Sequence, residues 1–169
     1  MLKRWLALAA LTIAADQYSK WLVLATLQFG ETVVMTPFFN WTLTFNPGAA
    51  FSFLAAAGGW QRWLFTLLGL GVSAWVVVML RQSLQQRLLS FGLSLLLGGA
   101  LGNVIDRFRF GAVVDFIQLH VGDYYWPAFN VADSAICVGV GLILWTQLRQ
   151  EPAAASTTPN PSANQESKS

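Results

Sequence analysis

Four long apolar stretches alternate with polar segments along the chain, at about residues 5–27, 62–80, 88–105 and 128–148. A helix needs about 20 mostly apolar residues to cross a bilayer, so each stretch predicts a transmembrane helix. The first opens with Lys3 and Arg4 like a secretory leader, but apolar character resumes after Lys20 with WLVLATL. That length favours a retained span over a cleaved signal peptide. Between the first two spans the period changes. In FNWTLTFN, Phe39, Trp41, Leu43 and Phe45 alternate with Asn40, Thr42, Thr44 and Asn46, which predicts a strand with one apolar face. Pro47 and Gly48 mark a turn, with a second short strand expected around 50–54. Residues 106–127 contain GAVVDFIQL, too short and interrupted to span, and are expected to form a short outer helical or re-entrant segment. Residues 151–169, rich in Pro, Ser, Ala and Asn, read as a disordered tail. The fold class is thus an all-α membrane protein: four transmembrane helices with a small extracytoplasmic β-sheet, in a single domain over 1–150.

Composition agrees. Of 169 residues 55% are hydrophobic and 11% charged, against about 25% charged in soluble domains. Orientation follows the positive charges. Lys3, Arg4, Arg81, Arg87, Arg149 and Lys168 fall on one side of four spans, and Arg62, Arg107 and Arg109 on the other. Both termini are expected in the cytoplasm, with 28–61 and 106–127 outside. Trp60, Trp63, Tyr124, Tyr125 and Trp126 gather near that outer interface as an aromatic belt. No basic run is long enough for nucleic acid. The single cysteine, Cys137, and single histidine, His120, leave no spacing for a zinc site or a histidine-based triad, and no cofactor is expected.

The informative residues are carboxylates in apolar surroundings, where a charge costs about 2.5–3.5 kcal/mol on insertion scales. Asp16 and Lys20 are four apart and predict an ion pair on one helix face. Asn103 and Asp106 sit at the outer end of the third span, followed by Arg107, and an Asp106–Arg107 salt bridge on the rim is the favoured reading there. Asn130 and Asp133 share a face at the start of the fourth span, where Pro127 suits a helix beginning. Asn46, Asn103 and Asn130 also suit helix ends and turns. Asp115, flanked by Val113, Val114, Phe116 and Ile117, is expected to have its pKa raised by desolvation. With Asp133 it suggests two carboxyls sharing one proton, as in aspartic proteases. A proton or ion pathway and a structural role are the alternatives. Against a pathway, the carboxylates gather at one edge and the two halves show no convincing repeat.

The strings DQYSK (16–20), FNPGAAFSF from Asn46, GNVIDR (102–107), VVDF (113–116) and FNVADS (129–134), in this order, resemble those of the prolipoprotein signal peptidases, or signal peptidase II. The resemblance covers residues 5–148. It implies an intramembrane aspartic endopeptidase of the bacterial inner membrane, acting near the periplasmic face on lipoprotein precursors whose cysteine carries diacylglycerol. It implies Asp115 and Asp133 as the catalytic pair, with Asp16, Asn46, Asn103, Asp106, Arg107 and Asn130 in support. The implied partners are the prolipoprotein substrate and membrane lipid, with the enzyme a monomer. Pro47 follows Asn46 at a position the family varies, so the local turn is expected to be stiff.

Overall fold

The computed structural model describes residues 1–48 and 59–150. The strand expected near 50–54 and the tail at 151–169 lie outside the described residues. The element order is α1 (Leu2–Thr26), β1 (Thr32–Thr36), β2 (Phe39–Asn46), α2 (Trp60–Gln82), α3 (Arg87–Phe110), β3 (Val113–Val121), β4 (Tyr124–Tyr125) and α4 (Val131–Gln150). Among the described residues three helices, α2, α3 and α4, are long and apolar enough to cross a membrane. The helix α1 has the length, 25 residues, but carries Asp16 and Lys20 in its second half.

The central helix is α3. In its apolar window 72% of residues are buried inside the protein, against 22% for α2 and 17% for α4. The outward leucines, valines and tryptophans of α2 and α4 stay exposed, as lipid-facing surfaces do. Lipid tails are as apolar as Leu, so such helices associate through close packing of small residues. The Gly98–Gly99 pair shows this. A Cβ on Gly98 would lie 2.7 Å from the Ala9 carbonyl oxygen of α1, and one on Gly99 would collide with the Ala132 carbonyl of α4. Two bare positions therefore let α1 and α4 close on α3 from different sides. Toward the other end, Ala9, Val76, Leu80, Leu89, Leu93, Leu96 and Leu97 form the apolar core of the bundle.

At the opposite end a four-stranded antiparallel sheet, ordered β1-β2-β3-β4, covers the helices. Val23 of α1 packs with Leu43, Val114 and Phe116 and ties the sheet to the bundle. The expected strand at 39–46 is present, but its alternation is broken. Trp41 pairs with Ile117 and Thr44 with Asp115, so β2 has one extra residue between the two pairs. Such a bulge lets two neighbours face the same way, and Thr42 and Leu43 are both buried.

Three expectations are corrected. Residues 113–121 are not a short outer helical or re-entrant segment but a nine-residue strand, β3, held between β2 and β4. The helix α3 runs five residues past 105 to Phe110, so Asp106 and Arg107 lie in its last turn and a half. It stops at Gly111, whose φ of 79° is left-handed backbone open to glycine. The last helix starts at Val131 rather than at Pro127. Before it, Phe129 pairs with Ile117 of β3 through backbone hydrogen bonds, which holds the chain extended.

Candidate active site

The start of α4 is set by a reciprocal cap. Asn130 Oδ1 accepts the Asp133 N–H at 2.9 Å, and Asp133 Oδ2 accepts the Asn130 N–H at 3.3 Å. This is a capping box with Asp in the usual place of Glu or Gln. It leaves Asn130 Nδ2 free to face β3, where it donates to Asp115 Oδ1 at 2.7 Å. The other oxygen of Asp133, Oδ1, accepts Asn103 Nδ2 from α3 at 2.8 Å. Asn103 Oδ1 in turn accepts Asn130 Nδ2 at 3.3 Å. Two asparagines thus join Asp115 on a strand to Asp133 on a helix. Asp115 is 2% exposed and Asn130 wholly buried, while Asp133 is only half-buried.

Below this pair lies a second carboxylate cluster, around Lys20. Its Nζ is 2.8 Å from Asp16 Oδ2 and 2.7 Å from Asp106 Oδ2, with all three side chains buried. The expected Asp16–Lys20 pair is there. The expected Asp106–Arg107 rim bridge is not: successive residues on a helix point about 100° apart, and Asp106 turns inward to Lys20. Gln17, which sequence reasoning passed over, donates from Nε2 to Asp106 Oδ1 at 2.8 Å. Arg107 donates to the carbonyl of Asn103 at 3.3 Å and lies 5.4 Å from the ring centroid of Phe65. Its Nε is buried without a hydrogen-bond partner, and its charge acts on Asp133, Asp106 and Asp115. Asn46, at the end of β2, hydrogen-bonds Asp115 and accepts the Gly48 N–H at 2.9 Å. All eight residues singled out from the sequence therefore gather at one end of the bundle, where it meets the sheet, Asn46 and Asp115 on strands and the other six on or beside helices.

The Asp115 carboxyl is pushed up to about 7 from 3.8. Burial is the main cause and the negative charge of Asp133 the second; hydrogen bonds from Asn46 and Asn130 and the charge of Lys20 pull the other way. A carboxyl with this pKa is suited to hold and release a proton near neutral pH. No group of His, Cys, Asp and Glu side chains among the described residues could hold a metal ion.

A bundle of apolar helices capped by a small sheet, with two carboxyls linked at the joint, defines a membrane protein equipped for acid–base chemistry. A family model described as Signal peptidase (SPase) II matches residues 8–149. The chain belongs to the signal peptidase II family, and is an integral membrane peptidase that processes lipoproteins. It is 57% identical over 149 residues to a lipoprotein signal peptidase of Polynucleobacter necessarius subsp. necessarius (strain STIR1), covering 88% of this chain and 91% of the relative. A lipoprotein signal peptidase of Azoarcus sp. (strain BH72) is 52% identical over 159 residues, covering 92% and 90%. Two solved bacterial membrane enzymes superpose over most of the chain. One, at 2.3 Å resolution, gives a TM-score of 0.78 with 29% identity over 92% of this chain and 95% of its own. The other, at 1.9 Å, gives 0.76 with 31% identity over 88% and 94%.

Proposed function

We propose that this protein is an intramembrane aspartic endopeptidase. It removes the signal peptide from diacylglyceryl-modified prolipoproteins, cutting just before the lipidated cysteine, with Asp115 and Asp133 as the catalytic pair. The observation that carries the reading is the asparagine bridge between them: Asn130 on Asp115 and Asn103 on Asp133, at 2.7 and 2.8 Å. Two neighbouring carboxyls do not both ionise readily, so the pair holds one proton at working pH. The proton resides on Asp115, the more deeply buried member. Asp133 is the base, since both its oxygens already accept N–H donors at a helix N-terminus, which favours negative charge.

In the reaction Asp133 takes a proton from water as its oxygen bonds to the scissile carbonyl carbon, and Asp115 gives its proton to the carbonyl oxygen. The tetrahedral diol then collapses. The C–N bond breaks, the amine takes the proton from Asp133, and a diol hydroxyl returns one to Asp115. Arg107, with its unpartnered Nε, binds a substrate carbonyl, and Asn46 holds Asp115. The helix α1 forms a fourth span. The protein sits in the bacterial inner membrane as a monomer, both termini cytoplasmic and the site near the periplasmic face. There the substrate keeps its lipid chains in the bilayer while its backbone is unwound among polar groups.

The test is cleavage of a diacylglyceryl-modified prolipoprotein by purified protein in detergent. The wild type cuts before the modified cysteine. Asp115→Asn and Asp133→Asn keep the wild-type fold and substrate binding, and each loses at least about 10³-fold in kcat, within the range for removing an acid or base. A folded Asn variant that cuts at the wild-type rate ends the assignment.

A further inference from the structure

The mechanism above leaves Lys20 without a task. Its ammonium has three protons to donate, and three acceptors take them: Asp106 Oδ2 at 2.7 Å, Asp16 Oδ2 at 2.8 Å and Asn103 Oδ1 at 3.1 Å. Each acceptor leads on to the catalytic pair. Asp16 Oδ1 accepts the backbone N–H of Ala132 at 2.9 Å, and Asp106 Oδ2 accepts that of Val114 at 3.1 Å. Ala132 immediately precedes Asp133, and Val114 immediately precedes Asp115. The third acceptor sets an orientation. An ammonium only donates, so Asn103 must turn its oxygen to Lys20, and its Nδ2 is thereby aimed at Asp133 Oδ1.

We propose that Lys20 is the positioning residue of this peptidase, one buried ammonium that holds α4 through Asp16, β3 through Asp106, and the Asn103 amide in the sense that presents a donor to Asp133. The proposal rests on the reading of Asp115 and Asp133 as the catalytic pair. A side chain that merely filled space would need neither the three acceptors nor the two backbone contacts beyond them. The same charge opposes the rise of the Asp115 pKa, so removing it should leave a trace in the pH profile as well as in the rate.

The experiment uses Lys20→Met, close in shape but uncharged, as the full chain in detergent with the diacylglyceryl-modified precursor, measuring kcat and KM across pH. The expected result is a fall in kcat of about 10²-fold, as for a small misplacement of reacting groups, with KM changed by less than about threefold. The alkaline limb set by Asp115 moves to higher pH. Wild-type kcat, a loss carried by KM alone, or a lower kcat with the limb unmoved would each overturn the proposal. Should Lys20→Met not fold, Lys20→Met with Asp106→Asn removes one charge of each sign and leaves Asp16, rather than both carboxylates, without its cation. Measured against Asp106→Asn alone, a further fall in kcat at retained KM supports the proposal, and a kcat equal to that of Asp106→Asn overturns it. Asp115→Asn and Asp133→Asn are assayed alongside. If either cuts at the wild-type rate, the catalytic-pair reading has failed; if both are silent while Lys20→Met is fully active, only the positioning role has.

Discussion

Two pairs of aspartates lie within one polar cluster and are treated in opposite ways. Asp16 and Asp106 share the Lys20 ammonium, and each also accepts a backbone N–H and a Gln17 proton. Among the described residues Asp115 and Asp133 form no salt bridge; neutral amides hold them, and the Arg107 charge acts on both without direct contact. Burial is not the difference, since Asp16, Asp106 and Asp115 are all nearly inaccessible. Charge compensation is. A buried carboxylate bound to a cation is committed to that ion pair and serves structure. One bound only by amides, beside a second carboxyl, is left able to exchange a proton.

Substitutions can break this contrast from either side. The largest effect is on turnover, in the Asp115→Asn and Asp133→Asn variants already described. Next comes a dependence of stability on pH. Asp115 titrates near 7 in the folded protein and near 3.9 when unfolded, so the folded state binds its proton more tightly. The resulting stability is fully present below about pH 4 and lost as pH rises through about 7, a difference on the order of 4 kcal/mol. Melting temperatures in detergent should fall over that window, and Asp115→Asn should flatten the slope; an identical slope in the variant would assign the dependence to another group.

On the other side of the comparison, Asp16→Leu removes one anion from Lys20 and orphans the Ala132 N–H. Breaking a buried ion pair costs about 3 kcal/mol or more, read as a lower denaturation midpoint. A shift below 1 kcal/mol would mean that Asp106 alone satisfies Lys20. The smallest effect concerns the packing that brings the two pairs together. A Cβ on Gly102 would stand 2.6 Å from Asp16 Oδ2. Gly102→Ala should therefore cost about 1–3 kcal/mol, as overpacking does, whereas Gly71→Ala, with nothing near its Cβ, should be neutral or slightly stabilising by helix propensity. Equal melting shifts for the two would separate the cluster from the α1–α3 contact.

Much of this architecture was legible in the chain. The helices fall within about three residues of the apolar stretches except at the end of α3. The alternation in FNWTLTFN marked β2 with the bounds the structure gives it. β3 escaped because its buried half, Val113–Phe116, is apolar around a single Asp and shows no alternation. Gly111 and Gly122, both with positive φ, bracket a run rich in Val and Ile, and that punctuation was the available signal. β1, TVVMT, is almost wholly exposed and β4 is two residues long, so neither has a buried face to write a period into the sequence. Gln17 was missed because a polar residue beside Asp16 reads as part of the same helix face only once α3 is seen against it.

The sequence by itself determined the membrane class and the family and singled out eight polar residues, because charged groups and amides in apolar surroundings are costly enough to stand out wherever they occur. Only the tertiary structure decided how those residues pair. Which carboxylate receives Lys20, which amide faces which oxygen, and which aspartates form no salt bridge among the described residues depend on contact distances of 2.7–3.3 Å across α1, α3, β3 and α4. Those distances are set by bare glycines, a bulge and a capping box acting between segments up to 116 residues apart.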